Sequence, residues 1–98
     1  MKKVLIIEDH RDLRELLRAH IHLKGFTAVT AKNGKEGIET AIAEKPDLIL
    51  MDIMMPEMNG WEATKILRGI PETKEIPILA VTAMFRSSDL ESCIEAGM

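Results

Sequence analysis

The chain has a single cysteine, no long apolar run and no block of like charge, and each absence excludes a class of protein. With Cys93 as its only cysteine, the chain can form neither an internal disulfide nor a cysteine-based metal site. No apolar stretch approaches the roughly 20 residues that span a bilayer. The short apolar run at residues 4–7 is also too brief for a signal peptide. We therefore expect a cytoplasmic protein with no membrane partner.

Composition and charge indicate one small globular domain. The 98 residues are 46% hydrophobic and 30% charged, and the formal net charge is -3. These values are typical of a folded protein rather than a disordered one, and the length suffices for one domain over residues 1–98. Because the net charge is negative and the lysines are scattered, we expect no direct binding to nucleic acid.

Apolar segments of two kinds alternate along the chain. Short runs rich in branched residues predict strands at residues 4–7, 26–30, 48–51 and 78–82. Segments with helical periodicity predict helices at residues 12–23, 33–44, 61–68 and 89–96. Four strands that are each followed by a helix predict an α/β fold with a parallel sheet and right-handed crossovers. The sequence ends where this alternation predicts another strand.

Three carboxylates follow two of the predicted strands. Glu8 and Asp9 come directly after the first strand, and Asp52 comes directly after the third. In an open α/β sheet, ligands bind at the edge where the carboxyl ends of parallel strands meet. Carboxylates this close repel one another, which either raises a pKa or attracts a hard divalent cation. Mg²⁺ is the expected cofactor, because it prefers oxygen ligands and partners phosphate groups.

Such a cluster is suited to phosphoryl transfer. A carboxylate beside Mg²⁺ can act as a nucleophile and form an aspartyl-phosphate. Asp52 is the better acceptor because it stands alone at its strand end, whereas Glu8 and Asp9 are placed to hold the metal. Thr82, at the end of the fourth predicted strand, would add a hydroxyl that can donate to a phosphoryl oxygen. Taken singly, each of these residues is also a common turn, cap or strand residue.

The motifs resemble those of one known family. The segments VLIIEDH, LILMDIMMPEMNGWE, PILAVTA and EAGM are similar, in order and over the whole chain, to the response-regulator receiver domain of two-component signalling. The resemblance implies a flavodoxin-like, doubly wound parallel sheet. The implied strand order is 2-1-3-4, without the fifth strand and fifth helix of that family.

The resemblance also implies roles for individual residues. Asp52 would accept a phosphoryl group from a histidine kinase or a histidine phosphotransfer protein, and Thr82 would be the switch hydroxyl. Asp9 would bind Mg²⁺ directly and Glu8 mainly through water, with a further contact from the backbone carbonyl of Met54. The protein would then be a signalling phosphoacceptor and not an enzyme in the usual sense.

The C-terminal end departs from the family pattern. The family's Lys-Pro step and fifth helix do not follow the GM step at residues 97–98, so the lysine that would contact the phosphoryl oxygens is missing. On this interpretation the chain is a C-terminally truncated receiver whose fourth strand is an exposed edge. We expect either a marginally stable domain or a dimer that forms through that edge.

Three other interpretations compete with a signalling receiver. A truncated or engineered fragment could keep the fold and the metal site but not signalling. A hydrolase of the aspartyl-phosphate type would carry a second aspartate two residues after its nucleophile, where this chain has Met54. A flavin-binding module would need a phosphate loop rich in Ser, Thr and Gly after the first strand, where the chain has Glu8 and Asp9 instead.

Overall fold

The computed structural model describes residues 2–81 and 97–98, in which strands and helices alternate. The elements are β1 (Lys3–Ile7), α1 (Arg11–Leu23), β2 (Thr27–Ala31), α2 (Gly34–Glu44), β3 (Leu48–Asp52), α3 (Gly60–Arg68) and β4 (Ile78–Val81). The predictions for these elements are confirmed to within one residue at each end. The predicted helix at residues 89–96, Thr82 and Cys93 lie outside the described residues. None of the helices in the described part of the chain has the length and apolar character of a membrane span.

The four strands form one parallel sheet in the order β2-β1-β3-β4. This confirms the predicted flavodoxin-like order, in which the chain begins inside the sheet and winds in both directions. Ile7 pairs with Ala31 on one side and with Met51 on the other. The carboxyl ends of β1, β2 and β3 therefore lie at nearly the same level.

The hydrophobic core lies between the sheet and a layer formed by α2 and α3. Small or apolar helix residues, among them Ala41, Ala63 and Leu67, are fully buried in it. The buried strand residues of this core are Leu5, Ile7, Ala31, Ile49, Met51 and Ile78. Gly37 allows α2 to approach the sheet closely, because a Cβ at this position would come 2.5 Å from Ile7 Cδ1.

The opposite face of the sheet is covered less completely. Helix α1 packs mainly on β1 and β2, and Val4 and Ile6 of β1 are buried. No residue of α1 itself is buried, and Leu16 on its apolar stripe is 66% exposed. On β4, Leu79 is 54% exposed. This face therefore contributes less buried apolar surface than the face under α2 and α3.

A groove of about 290 Å³ lies at the amino end of the sheet. It is lined by Lys2, Val4, Ile21, Phe26, Asp47 and Leu48. Ile21 comes from α1, and the other five residues lie just before or at the start of their strands, whereas the three clustered carboxylates follow or end theirs. The groove is therefore separate from the predicted site.

Candidate functional site

Three carboxylates meet at the carboxyl end of the sheet. Glu8 and Asp9 follow β1, and Asp52 is the last residue of β3. Because Ile7 pairs with Met51, the residues that come next, Glu8 and Asp52, lie side by side at the carboxyl end of the sheet. One carboxylate oxygen from each of the three side chains lies within 4.8 Å of the other two. The structure thus brings together the three residues that the sequence predicted as a cluster.

The three carboxylates differ in their exposure to solvent. Glu8 is 2% exposed and Asp52 is 9% exposed, whereas Asp9 is an exposed residue. A small ion that approaches from solvent therefore meets Asp9 first. Two of the three charges would have to be held in a largely dehydrated position, which is costly unless a proton or a cation compensates them.

The surroundings of Asp52 disfavour its charged form. The pKa of Asp52 is raised from 3.8 to about 8, first by burial and then by side-chain hydrogen bonds with Glu8 and Asp9 and by the charge of Glu8. The backbone N–H of Met54 donates to Asp52 Oδ1 at 3.1 Å and lowers the pKa. A proton shared within the cluster therefore relieves the repulsion among its neighbouring anions.

The donor set fits a hard divalent cation. Mg²⁺ takes oxygen ligands, uses few carboxylates and keeps several of its waters. The cluster offers carboxylate oxygens from three side chains, and two of these side chains, Glu8 and Asp52, are largely removed from water. Glu8, Asp9 and Asp52 could therefore hold Mg²⁺ in place of the shared proton.

Local hydrogen bonds fix the segment that carries Glu8 and Asp9. The backbone N–H of Glu8 donates to the Ala31 carbonyl at 3.1 Å, which ties the segment to β2. Glu8 Oε2 accepts from the His10 N–H at 3.1 Å, and the His10 side chain caps the N-terminus of α1. The guanidinium of Arg14 donates to the carbonyls of Glu8 and Asp9. The segment is thus held by contacts with both its sheet neighbour and its following helix.

The loop after β3 is shaped by close packing. A Cβ on Gly60 would come 2.5 Å from the Asp52 carbonyl oxygen, so only glycine fits there without a shift of the backbone. Glu57 has a φ of 67°, a left-handed conformation that costs a residue other than glycine about 1 kcal/mol. Asn59 and Glu62 form a capping box that starts α3. Together these features hold the beginning of α3 against the end of β3.

The predicted roles of two further residues, Met54 and Thr82, are not tested by the structure. Met54 adjoins the cluster through its N–H bond to Asp52, and its side chain is 74% exposed. A metal contact from its carbonyl stays a prediction. Thr82 follows Val81, which pairs with Asp52 in the sheet, but Thr82 lies outside the described residues. Its role as the switch hydroxyl also stays a prediction.

The contact of Arg14 with this loop was not predicted from the sequence. A signal was nevertheless present, since Arg14 lies near the N-terminus of α1, where a cationic side chain opposes the helix dipole. Contacts with backbone carbonyls offset that disadvantage. The residue follows closely on the acidic pair, which is the pattern that could have drawn attention to it.

Comparison with protein families and sequences gives a consistent result. The family model of the response regulator receiver domain matches residues 4–98. The chain is 40% identical over 96 residues to the polar-differentiation response regulator DivK of Brucella anthropi, an alignment that covers 98% of this chain and 78% of that protein.

Solved structures show the same architecture. The chemotaxis protein CheY4 of Vibrio cholerae matches with a TM-score of 0.95 and 29% identity, over 99% of this chain and 81% of that chain. The receiver domain of a sensor histidine kinase from Pseudomonas aeruginosa PAO1 matches with a TM-score of 0.90 and 29% identity, over 99% of this chain and 80% of that chain. That receiver domain holds a magnesium ion coordinated in its active site cleft.

Proposed function

Because the chain belongs to the response regulator receiver domain family, we propose that it accepts a phosphoryl group on Asp52 from a histidine kinase or a histidine phosphotransfer protein. Receiver domains of response regulators are signalling phosphoacceptors that interact with such proteins. The observation that carries the proposal is the convergence of Glu8, Asp9 and Asp52, whose oxygens lie within 4.8 Å of one another.

In this proposal Asp52 supplies the nucleophile. Oδ1 accepts from the Met54 N–H, which leaves Oδ2 as the attacking atom. Asp52 attacks as the carboxylate, after its proton is lost to solvent. Oδ2 forms a bond to phosphorus, the bond between phosphorus and the donor imidazole nitrogen breaks, and the imidazole keeps the electron pair and takes up a proton from solvent. When bound, Mg²⁺ offsets the repulsion between the carboxylates and the incoming phosphoryl oxygens.

Glu8 and Asp9 hold the cation in different ways. Asp9 is exposed and is free to bind it directly. Glu8 is buried, and its Oε2 already accepts from the His10 N–H, which favours a contact through water. The backbone carbonyl of Met54 is the proposed further ligand, since the N–H of the same residue contacts Asp52.

Thr82 is the proposed switch hydroxyl. It follows Val81 in the chain, and Val81 is the partner of Asp52 in the sheet. In this proposal the hydroxyl of Thr82 would donate to an oxygen of a phosphoryl group on Asp52. Movement of Thr82 toward that oxygen would shift the segment that follows it. A cytoplasmic location and the lack of nucleic-acid binding stay predictions from the sequence.

Phosphoryl acceptance can be tested with a small acyl phosphate as donor and Mg²⁺ present, by intact-protein mass spectrometry. We expect the full chain to gain one phosphoryl group and the Asp52→Asn variant to gain none. Asp47→Asn is the matched control, because Asp47 lies at the other end of β3, where it accepts from the Lys3 backbone N–H. Equal phosphorylation of the Asp52→Asn variant, or none of the unmutated chain, would contradict the proposal.

A fragment that keeps the fold and the metal site but not signalling is the alternative outcome. Trp61 can distinguish the two, because it lies at the start of α3, next to the residue that packs on the Asp52 carbonyl. The fluorescence of Trp61 is measured during titration with Mg²⁺ and then with beryllofluoride, which mimics a phosphoryl group. A signalling receiver responds to both, whereas the fragment responds to Mg²⁺ alone.

The side chain of Met54 favours a long-lived phosphoryl group. It is 74% exposed beside the cluster, and a thioether is too weak an acceptor to orient an attacking water. We expect Met54→Asn to shorten the lifetime of the phosphorylated chain several-fold, whereas Met54→Leu leaves it unchanged. Decay of the phosphorylated mass over time measures both variants. An unchanged lifetime for Met54→Asn would contradict this assignment.

We also propose that two copies associate through the edge of β4. Within the described residues β4 pairs with β3 alone, and Leu79 on this strand is 54% exposed. An exposed apolar edge strand favours pairing with a second chain. Sedimentation velocity should show a dimer that dissociates on dilution and is lost in Leu79→Lys. A monomer at every concentration would exclude this association.

A further inference from the structure

We propose that Arg14 is a positioning residue for the acidic cluster and that it sets the affinity of the site for Mg²⁺. Arg14 belongs to α1, but its guanidinium reaches back to the loop that precedes the helix. Nη1 donates to the Glu8 carbonyl at 2.9 Å and to the Asp9 carbonyl at 3.4 Å. The inference rests on the proposed metal site formed by these two residues and Asp52.

The two bonds orient consecutive peptide groups. In a trans peptide the C=O and the N–H point in opposite directions. The peptide group between Asp9 and His10 presents its carbonyl to Arg14 and its N–H to Glu8, whose Oε2 accepts at 3.1 Å. Arg14 therefore acts on the Glu8 carboxylate through a single peptide group, and the positive charge polarises that group and strengthens its N–H as a donor.

The backbone of Arg14 holds the same segment from its other end. Its N–H donates to the His10 carbonyl at 2.9 Å, as the first turn of α1 requires. The side chain and the backbone of one residue thus bind three successive carbonyls, those of residues 8, 9 and 10. A segment held in this way cannot rotate its peptide groups independently of the helix.

Such a restraint matters because the carboxylates repel one another. Asp9 is exposed, so without a fixed backbone its charge could move into solvent and away from Glu8 and Asp52. A metal site that is already assembled avoids the cost of ordering its ligands when the ion binds. The restraint from Arg14 should therefore appear as tighter binding of Mg²⁺.

Coulomb attraction alone predicts the opposite change in the affinity for Mg²⁺. The guanidinium is a positive charge beside the segment that carries two ligands, and its removal would strengthen the attraction of the site for a cation. If Arg14 acts by position, its removal weakens Mg²⁺ binding in spite of that gain. The direction of the change in Kd thus separates the two effects.

The experiment is a calorimetric titration of the full chain with MgCl2 at constant ionic strength. Arg14→Met keeps an unbranched side chain in place of the aliphatic part of arginine and removes the guanidinium donors. Arg18→Met is the matched control, since Arg18 lies one turn further along α1 and its guanidinium pairs with Glu15 at 2.8 Å. We expect Kd to rise roughly tenfold in Arg14→Met, as for other groups that orient metal ligands, and to stay within about twofold in Arg18→Met.

A second variant keeps the inference testable if Arg14→Met does not fold. Arg14→Lys keeps the charge but ends in a shorter side chain with a freely rotating ammonium, which is directed less well at the two carbonyls, so we expect a rise of roughly threefold in Kd. Circular dichroism and urea unfolding without Mg²⁺ report the purely structural effect. A folded variant that is less stable but binds Mg²⁺ as tightly as the unmutated chain would overturn the inference.

The outcome also distinguishes this inference from the proposed function. Unchanged or tighter Mg²⁺ binding in the folded variants overturns the role of Arg14 and leaves the metal site intact, because the unmutated chain still binds the ion. Failure of the unmutated chain to bind Mg²⁺ overturns the proposed site itself, and the role of Arg14 with it.

Discussion

The two faces of the sheet are built from similar apolar residues but are covered to different extents. On one face, α2 and α3 bury Leu5, Ile49 and Met51 completely. On the other, α1 packs mainly on β1 and β2, and Leu79 of β4 is 54% exposed. Since apolar surface stabilises a fold only where it is removed from water, the two faces should contribute unequally to stability in spite of their similar composition.

Asp52 of the candidate site lies on the less covered face of the sheet. Side chains alternate across a strand, so Asp52 continues the row of Leu50 on β3, which is the row of the less covered face. The neighbouring residue Met51 belongs to the packed face and is fully buried. The packed face thus fixes the backbone of β3, while the other row ends in a carboxylate that can exchange protons and ligands.

The largest contrast is expected when one substitution is made on each face. Leu67 of α3 is fully buried against the sheet, so Leu67→Ala should lower the free energy of unfolding by about 3 kcal/mol. Leu79→Ala on the other face should lower it by less than about 1 kcal/mol. Urea unfolding followed by circular dichroism measures both, at a protein concentration low enough to keep the chain monomeric. Equal losses would show that the second face is covered in solution, and that the contrast between the faces is wrong.

The stability of the folded chain is expected to depend on pH through Asp52, which ends the row of β3 side chains on the less covered face. Its pKa is about 8 in the folded chain, against 3.8 when unperturbed, so the folded state holds the proton more tightly. The associated stability is complete below the lower value and is lost as the pH rises through about 8. Without Mg²⁺, we expect the free energy of unfolding to fall as the pH rises over this range.

The matched variant for this effect is Asp52→Asn, which cannot ionise. Its free energy of unfolding should depend less steeply on pH than that of the unmutated chain, because the remaining titratable groups are the same in both. Denaturant titrations at several pH values give the two slopes. If the slopes are identical, Asp52 is not the group that links proton binding to folding.

Mg²⁺ should compete with the proton that Asp52 binds. The ion binds deprotonated carboxylates, so its binding releases the proton from Asp52. Kd for Mg²⁺ should therefore decrease as the pH rises toward the pKa of about 8, by up to about tenfold per pH unit. Calorimetry in two buffers of different ionisation enthalpy measures the released proton. Binding that is independent of pH between about 6 and 8 would show that the ion does not displace this proton.

The positions of strands and helices could be predicted because their signals are local. Apolar periodicity and the glycines and prolines that end each element lie within a few residues of the structure they specify. The clustering of Glu8, Asp9 and Asp52 could be predicted as well, since the carboxyl ends of parallel strands share one edge.

What could not be predicted depends on contacts between distant or flexible groups. Leu16 lies on an apolar stripe, yet the sequence does not say whether anything covers that stripe. Arg14 has a long flexible side chain, and its spacing from Glu8 does not determine the direction in which the guanidinium turns. The size of the pKa shift of Asp52 depends on burial and on oxygen separations that residue spacing does not supply.

The smallest effect is expected from a polar substitution on the open side of α1. Leu16 is 66% exposed, and glutamine has nearly the helix propensity of leucine, so Leu16→Gln should change the free energy of unfolding by no more than about 0.5 kcal/mol. Leu5→Gln is the matched change on the packed face, where the buried amide would leave little folded protein. A loss of about 2 kcal/mol or more at Leu16 would mean that α1 is covered in solution. The measurement is then repeated at a lower protein concentration to identify what covers Leu16. The loss of stability stays the same if another part of the same chain covers Leu16, and it becomes smaller if a second copy does.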